Sequence, residues 1–319
     1  AQNDRLIGAA NLRYNGHARW GWSSVAPDVA LGAATPAQTV TQGPLRPLNV
    51  LESQGERVMA DFVWSLLVGE EVRGSFVLRC VFYADEPSWV YACAFVVGDP
   101  GLWISGLRLH SWGGFVRPDP GAEQWTAGLT THGVAPARGP LPLDEYWFFA
   151  AHQAHTEAWL LTRGSAGVFL PAQLEQLEYQ GGGSLRLVPV AGSRAVCWTM
   201  RDFNEPTEPW LAVARADAPR RQQRLAEMVW RPDMARELQL LDDHARPLLE
   251  GLAEQSPTVV AWQKERATVE QAAQAAQGTD PGSPEELAWG TTVQAARLAL
   301  ESLWATAAEE FLPAGAAGE

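Results

Sequence analysis

Lys264 is the only lysine in this chain, so every other cationic side chain among its 24 Lys and Arg residues is an arginine. That scarcity excludes chemistry: a Schiff-base amine or the lysine of a phosphate-binding loop would have to be Lys264. It stands among Gln263, Glu265 and Arg266 on a predicted helix surface, a solvated setting that suits neither role. Cysteine is limited to Cys80, Cys93 and Cys197, and histidine to six residues. No apolar run approaches the roughly 18 residues of a spanning helix, so no membrane span is expected. A net charge of −13 argues against nucleic acid as a partner, because binding its backbone needs clustered cations. The spacings of zinc sites, calcium loops, nucleotide loops and the nucleophile elbow are all missing, and neither a cofactor nor a metal is expected. The triple glycine Gly181, Gly182 and Gly183 runs into a strand pattern without a following Lys-Ser or Lys-Thr, so it reads as a turn. No repeat of fixed period is present, which disfavours a solenoid or a propeller.

What the chain has in excess is tryptophan, with 15 residues. Flat amphipathic rings serve cores, sugar-stacking platforms and subunit interfaces. Trp64, Trp89, Trp159 and Trp198 fall inside strand patterns and read as core, whereas Trp20, Trp22, Trp112, Trp125 and Trp147 lie in or near loops and are the better candidates for stacking on sugar. Hydrophobic residues at 46% with 19% charged residues describe an ordinary globular chain, long enough at 319 residues for two domains.

Residues 1–45 are rich in Gly, Ala, Pro and small polar types and read as an extended, loop-rich arm. Between 46 and 213, short runs alternate with period two and are separated by Gly, Pro and Asp, the pattern of an antiparallel β-sandwich. From 214 to 319 the period becomes helical. Leu238, Leu241, Ala245, Leu248 and Leu252 form one apolar stripe, and Ser256-Pro257 opens a second helix containing Val259, Trp262 and Val269. Ser283, Pro284 and Glu286 form a capping box at the start of a third. There, Trp289, Val293, Ala296, Leu300, Leu303, Ala307 and Phe311 draw a single seam against other helices or the β-domain, with homo-oligomer formation as a further use of it. The fold class expected is therefore α+β: a β-sandwich of supersandwich type followed by a C-terminal helical bundle.

Within residues 73–110 the pattern is three successive antiparallel strands, and Asp85, Glu86, Pro87 and Ser88 form the first turn. Pairing Ala84 with Trp89 places Cys80 opposite Cys93. Directly opposed Cβ atoms lie about 4.5–5.5 Å apart, against roughly 3.5–4.5 Å in a disulfide, so the two are either bonded at a favourable site or are a pair of small buried thiols. Cys197 reads as a core residue. The chain opens on Ala1, as after removal of a signal peptide, and a secreted or periplasmic location is the expectation.

Four histidines, His110, His132, His152 and His155, cluster with Asp144, Glu145, Tyr146 and Glu157. On a strand His152 and His155 point to opposite faces, while His155 and Glu157 share one. Gly43-Pro44-Leu45-Arg46, the hairpin VWSLLVGEEVRGSFVLRCVFYADEPSWVYACAFVVGDP, the strand LWISGLRLHSWG and the later HTEAWLLTRGSAGVFLPAQLEQLEY together resemble the β-domains of bacterial rhamnogalacturonan lyase-like proteins, over about residues 43–203. The resemblance implies a β-supersandwich that binds or cleaves polysaccharide, and it carries over no catalytic residue. The helical tail is shorter than the helical toroid of some such enzymes. In a lyase-type reaction a His or Tyr removes the proton α to a uronate carboxylate while an arginine neutralises the acid. His110, His132, Tyr146, His155 and Arg108 are the candidates by residue type. The alternatives are a structural or assembly protein, such as a viral coat or bacterial surface component without catalytic activity, and an adaptor that docks another protein through its helical tail.

Overall fold

A computed structural model describes residues 24–32, 38–46, 48–53, 55–86, 89–110, 125–131, 133–134, 138–152, 164–181, 184–203 and 209–311. In chain order the strands begin with β1 (Ser24–Leu31), β2 (Gln38–Thr39), β3 (Thr41–Leu45), β4 (Asn49–Glu52) and β5 (Arg57–Val68). They continue with β6 (Glu71–Tyr83), β7 (Trp89–Gly98), β8 (Leu102–His110), β9 (Trp125–Thr130), β10 (Gly133–Val134) and β11 (Gly139–Pro140). The last are β12 (Trp147–His152), β13 (Gly164–Phe169), β14 (Leu174–Gly181), β15 (Ser184–Pro189) and β16 (Ala195–Phe203). Four helices follow: α1 (Pro209–Glu227), α2 (Met234–Leu249), α3 (Pro257–Ala276) and α4 (Pro284–Phe311). None is long and apolar enough to cross a membrane, among the described residues.

Two antiparallel sheets and mostly C-terminal helices make a mixed α+β, sandwich-like fold. A six-stranded sheet runs β11-β14-β15-β8-β1-β2, and a ten-stranded sheet runs β10-β9-β12-β13-β16-β7-β6-β5-β3, with β4 also paired to β5. The chain separates into two compact units, residues 1–47 with 62–229 and residues 48–61 with 230–319. Helix α1 belongs to the first unit, and the second unit borrows β4 and the start of β5.

In the first unit the alternation of each strand sends one set of side chains into a common core. Trp64, Phe76, Leu78 and Trp198 from the larger sheet meet Leu107, Leu109, Leu185 and Leu187 from the smaller. Within the stretch expected to be a loop-rich arm, Ser24–Leu31 forms a strand, and β1 pairs with β8 over eight positions. Val25 and Val29 point to the core and Asp28 away from it, an alternation hidden in the sequence by small residues and Pro27. The larger sheet's opposite face is covered by α1, which packs against β12, β13 and β16.

The hairpin of β6 and β7 forms, but its register is one residue away from expectation. Phe82 pairs with Val90 and Cys80 with Ala92, while Arg79 faces Cys93. The cause is the turn. Glu86 N–H donates to the Tyr83 carbonyl at 3.1 Å and Trp89 N–H to the Glu86 carbonyl at 2.9 Å, so two successive tight turns replace one. Because side chains alternate with period two, a one-residue slip turns Cys80 and Cys93 to opposite faces, and the expected pairing between them is overturned. At the far end, Gly74 pairs with Gly98, whose φ of 108° lies in the left-handed region. A Cβ on Gly74 would run into the Val97 carbonyl oxygen. Gly74→Ala is expected to lower stability by about 1–3 kcal/mol, as over-packing does, and chemical denaturation will measure it.

In the second unit the capping signals act as expected. Ser256 Oγ accepts from Val259 N–H at 3.2 Å, and Ser283 Oγ accepts from Glu286 N–H at 3.2 Å. The Glu286 carboxylate reaches back to the Gly282 N–H at 2.5 Å, one residue before the cap. Trp289, Val293, Ala296, Leu300 and Ala307 are all buried, and α4 packs on α3, α2 and β4. The seam thus packs against other helices of the same chain, as its spacing predicts. Two buried acids organise the unit. Glu52 takes both Nε and Nη2 of Arg57, at 2.6 and 2.8 Å. Glu237 is paired with Arg297.

Candidate functional site

The outward face of the six-stranded sheet gathers the most chemistry on the described surface. Two strands carry the same triplet. Leu107-Arg108-Leu109 in β8 lies in register with Leu187-Arg186-Leu185 in β15, so that leucine faces leucine in the core and Arg108 directly faces Arg186 outside it. Like charges placed directly opposite on a sheet destabilise it, and nothing about folding requires this row. Each arginine has an acid beside it. Arg108 Nη2 lies 3.3 Å from Asp28 Oδ1, and Arg186 Nη1 lies 3.9 Å from Glu178 Oε2. Both pairs are solvent-accessible: the side chains of Arg108 and Asp28 are 53% and 38% exposed, those of Arg186 and Glu178 35% and 29%. At such exposure the carboxylates hold the guanidinium groups only loosely.

Gly106 sets the shape of this row. It pairs with Asp28, at a point where an irregularity in β1 and β8 leaves Ser105 as an extra residue. A Cβ on Gly106 would sit 3.0 Å from Asp28 Oδ2 and 3.3 Å from Arg186 Nη2. The missing side chain lets an acid and a base from two different strands lean together over β8. Ser105 Oγ donates to the Asp28 carbonyl at 3.0 Å and fixes the bulge. Farther along the same strand Trp103 is half-buried, and its indole N–H donates to the Gly32 carbonyl at 3.1 Å. It alternates with Ile104, which is in the core, and so lies on the outward side with the arginines.

Of the expected catalytic set, Arg108, His110 and Tyr146 fall among the described residues. Arg108 is on the exposed row. His110 closes the same strand, at the register position opposite Ser24 and Ser184. Tyr146 precedes β12 of the other sheet; it is half-buried, and its carbonyl accepts from Phe169 N–H at 2.8 Å. His132, His155, Trp20, Trp22, Trp112 and Trp159 lie outside the described residues. Trp125 begins β9 at the position opposite His152. Trp147 is corrected: it is wholly buried, with the Arg215 guanidinium 5.4 Å from its ring centroid, and offers no face to a sugar. Its place at a strand start, next to a loop, concealed its inward direction. The sequence signal for Arg186 is the Leu-Arg-Leu triplet that β15 shares with β8.

A second polar cluster, also absent from the sequence reading, is buried between the β6–β7 turn and α1. Glu86 pairs with Arg221 and, at 2.6 Å, with Arg224. Tyr91 Oη donates to Glu86 Oε2 at 2.6 Å and accepts from Arg221 Nη1 at 3.2 Å. Burial first, and then the bond to Glu86, pushes the Tyr91 phenol well above its ordinary range. Burial works against the charge of Arg224, but its hydrogen bonds to Asp85 and Glu86 outweigh it and hold the guanidinium above its usual value. The rings of Trp89 and Tyr83 lie 4.9 Å and 3.8 Å from Arg221 and Arg224. With the carboxylate, phenol and guanidinium groups bonded to one another, this cluster acts as a clamp on α1.

No protein-family model matches the chain, and no curated protein matches it.

Proposed function

We propose that the chain binds an acidic polysaccharide on the outward face of the six-stranded sheet, with Arg108 and Arg186 holding a uronate carboxylate. The observation that carries this reading is the directly opposed, solvent-accessible pair Arg108 and Arg186, with Arg186 leaning over Gly106. Guanidinium and carboxylate are both planar and match as a two-bond fork, a geometry that lysine does not offer. A carboxylate bridging the pair would convert a repulsive row into an attractive one. Trp103 is the aromatic platform on the same side, in the role expected of Trp147. The fold in this reading is a β-sandwich of supersandwich type joined to a helical bundle, in line with the resemblance to rhamnogalacturonan lyase-like domains. A secreted or periplasmic setting follows from such a ligand.

Hydrogen bonds to charged groups contribute about 1.5–3 kcal/mol each, so Arg108→Ala or Arg186→Ala is expected to weaken binding of an oligogalacturonide by roughly 10- to 100-fold. Arg108 is exposed, and its replacement leaves stability within about 0.5 kcal/mol; Arg186 is half-buried, and denaturant unfolding of its variant separates any loss of stability from loss of binding. Tryptophan fluorescence titration reads the affinity, and equal affinities for wild type and both variants would refute the assignment. Lyase-like cleavage belongs to the same reading and is scored in the same samples by the unsaturated product it releases. Binding without that product makes the chain a binding module.

A further inference from the structure

Cys93 and Cys197 are separated by 104 positions in the chain and meet as direct cross-strand partners on β7 and β16. Their Sγ atoms stand 2.6 Å apart, well inside the separation of two thiols that merely touch. The backbone explains the closeness. The Cys197 N–H donates to Gln173 Oε1 at 2.9 Å instead of to the Cys93 carbonyl, so the two residues occupy a non-hydrogen-bonded site of the ladder. Opposed Cβ atoms come closest at such sites, near the distance that a disulfide needs. Cys80, by contrast, pairs with Ala92 and is buried in the core between the sheets, on the other face of β7.

We infer that Cys93 and Cys197 form a disulfide staple between β7 and β16, with Cys80 outside the cross-link. The reaction is thiol–disulfide exchange with a small disulfide oxidant such as oxidised glutathione. The Cys197 thiolate attacks one sulfur of the oxidant, giving a mixed disulfide and releasing one thiolate. Cys93 then attacks Cys197 Sγ and releases the second. Two cysteine thiols are oxidised, one disulfide is reduced to two thiols, and the two protons pass to the leaving groups. Cys197 is the entry point because it is 6% exposed while Cys93 is wholly buried. Burial, with the neighbouring Cys197 sulfur adding to it, raises the Cys93 thiol well above its ordinary range, so the second step is slow in the folded chain and faster during refolding. The staple closes a loop that contains β8, β14 and β15, the strands presenting Arg108, Glu178 and Arg186.

The full chain refolded in a glutathione redox buffer, alkylated and digested without reduction gives the answer by mass spectrometry. The expected result is loss of two hydrogens, a single cross-linked peptide pair containing Cys93 and Cys197, and an alkylated Cys80. Cys80→Ala should leave that cross-link in place, and Cys197→Ala should abolish it. Oxidation should also raise the melting midpoint by on the order of 10 °C, since a loop of this length is strongly constrained in the unfolded chain. Three alkylated cysteines, or a cross-link that includes Cys80, would overturn the assignment.

Discussion

Glu86→Ala is expected to destabilise the β-rich unit by about 3–5 kcal/mol, the usual effect of removing one partner from a buried ion pair. Glu86 and Arg221 are 6% and 3% exposed, and Glu86 alone joins Arg221, Arg224 and Tyr91. Without its carboxylate, Arg221 retains Asp217 at 3.6 Å and the Tyr91 oxygen, while the Tyr91 hydroxyl loses its acceptor. A guanidinium so enclosed cannot recover its hydration, which is why the loss exceeds that of an ordinary hydrogen bond. Glu86→Gln keeps shape and acceptor but not charge and should fall between wild type and alanine. Asp85→Ala, at a side chain 69% exposed, should change stability by less than about 0.5 kcal/mol despite lying in the same network. Denaturant unfolding monitored on the β-sheet signal compares the three. A Glu86→Ala midpoint indistinguishable from that of Asp85→Ala would show that the cluster does not hold α1 in place.

The second large effect is expected at Glu237, which plays the corresponding part in the helical unit. It is 2% exposed, on the buried side of α2. One oxygen pairs with Arg297 on α4 and the other accepts from Ser53 N–H at 3.2 Å. Arg297 in turn donates to the Val50 carbonyl at 3.2 Å, so a single pair ties α2 and α4 to β4 and the residue after it. Glu237→Ala leaves the guanidinium with one carbonyl partner and the Ser53 amide with none of its present ones, and should cost about 3 kcal/mol. The pair also makes a prediction about coupling. Arg297→Ala alone should be similarly damaging, but the double variant should cost clearly less than the two losses combined, because neither charge is then stranded. Simple additivity in that double-mutant cycle would contradict the role assigned to the pair.

The helices and most strands were legible because each carries its own periodicity, and the caps at Ser256 and Ser283 act as their residue types dictate. What local pattern does not contain is which distant elements meet. Glu86 sits in a turn and Glu237 on a helix beside the apolar stripe, and only the arrival of Arg221 and Arg297 from elsewhere allows their burial. The register of β6 and β7 was lost to the same cause, since the double turn that shifts it is built around the buried Glu86. Cys93 found its partner 104 positions away, beyond any hairpin argument. For the candidate site, residue type identified Arg108, and alternation placed it on the outward face. Its pairing with Arg186 depends on β8 and β15 being neighbours, which no sequence spacing announces.

The most direct test of the functional account is a calorimetric titration comparing an oligogalacturonide with its fully methyl-esterified form, using wild type and the Arg108→Ala/Arg186→Ala chain. The account predicts that wild type binds the acid, loses affinity as salt is raised, binds the ester much more weakly, and that the double variant no longer distinguishes the two. Equal binding of acid and ester by wild type, or unchanged preference for the acid in the double variant, would contradict it.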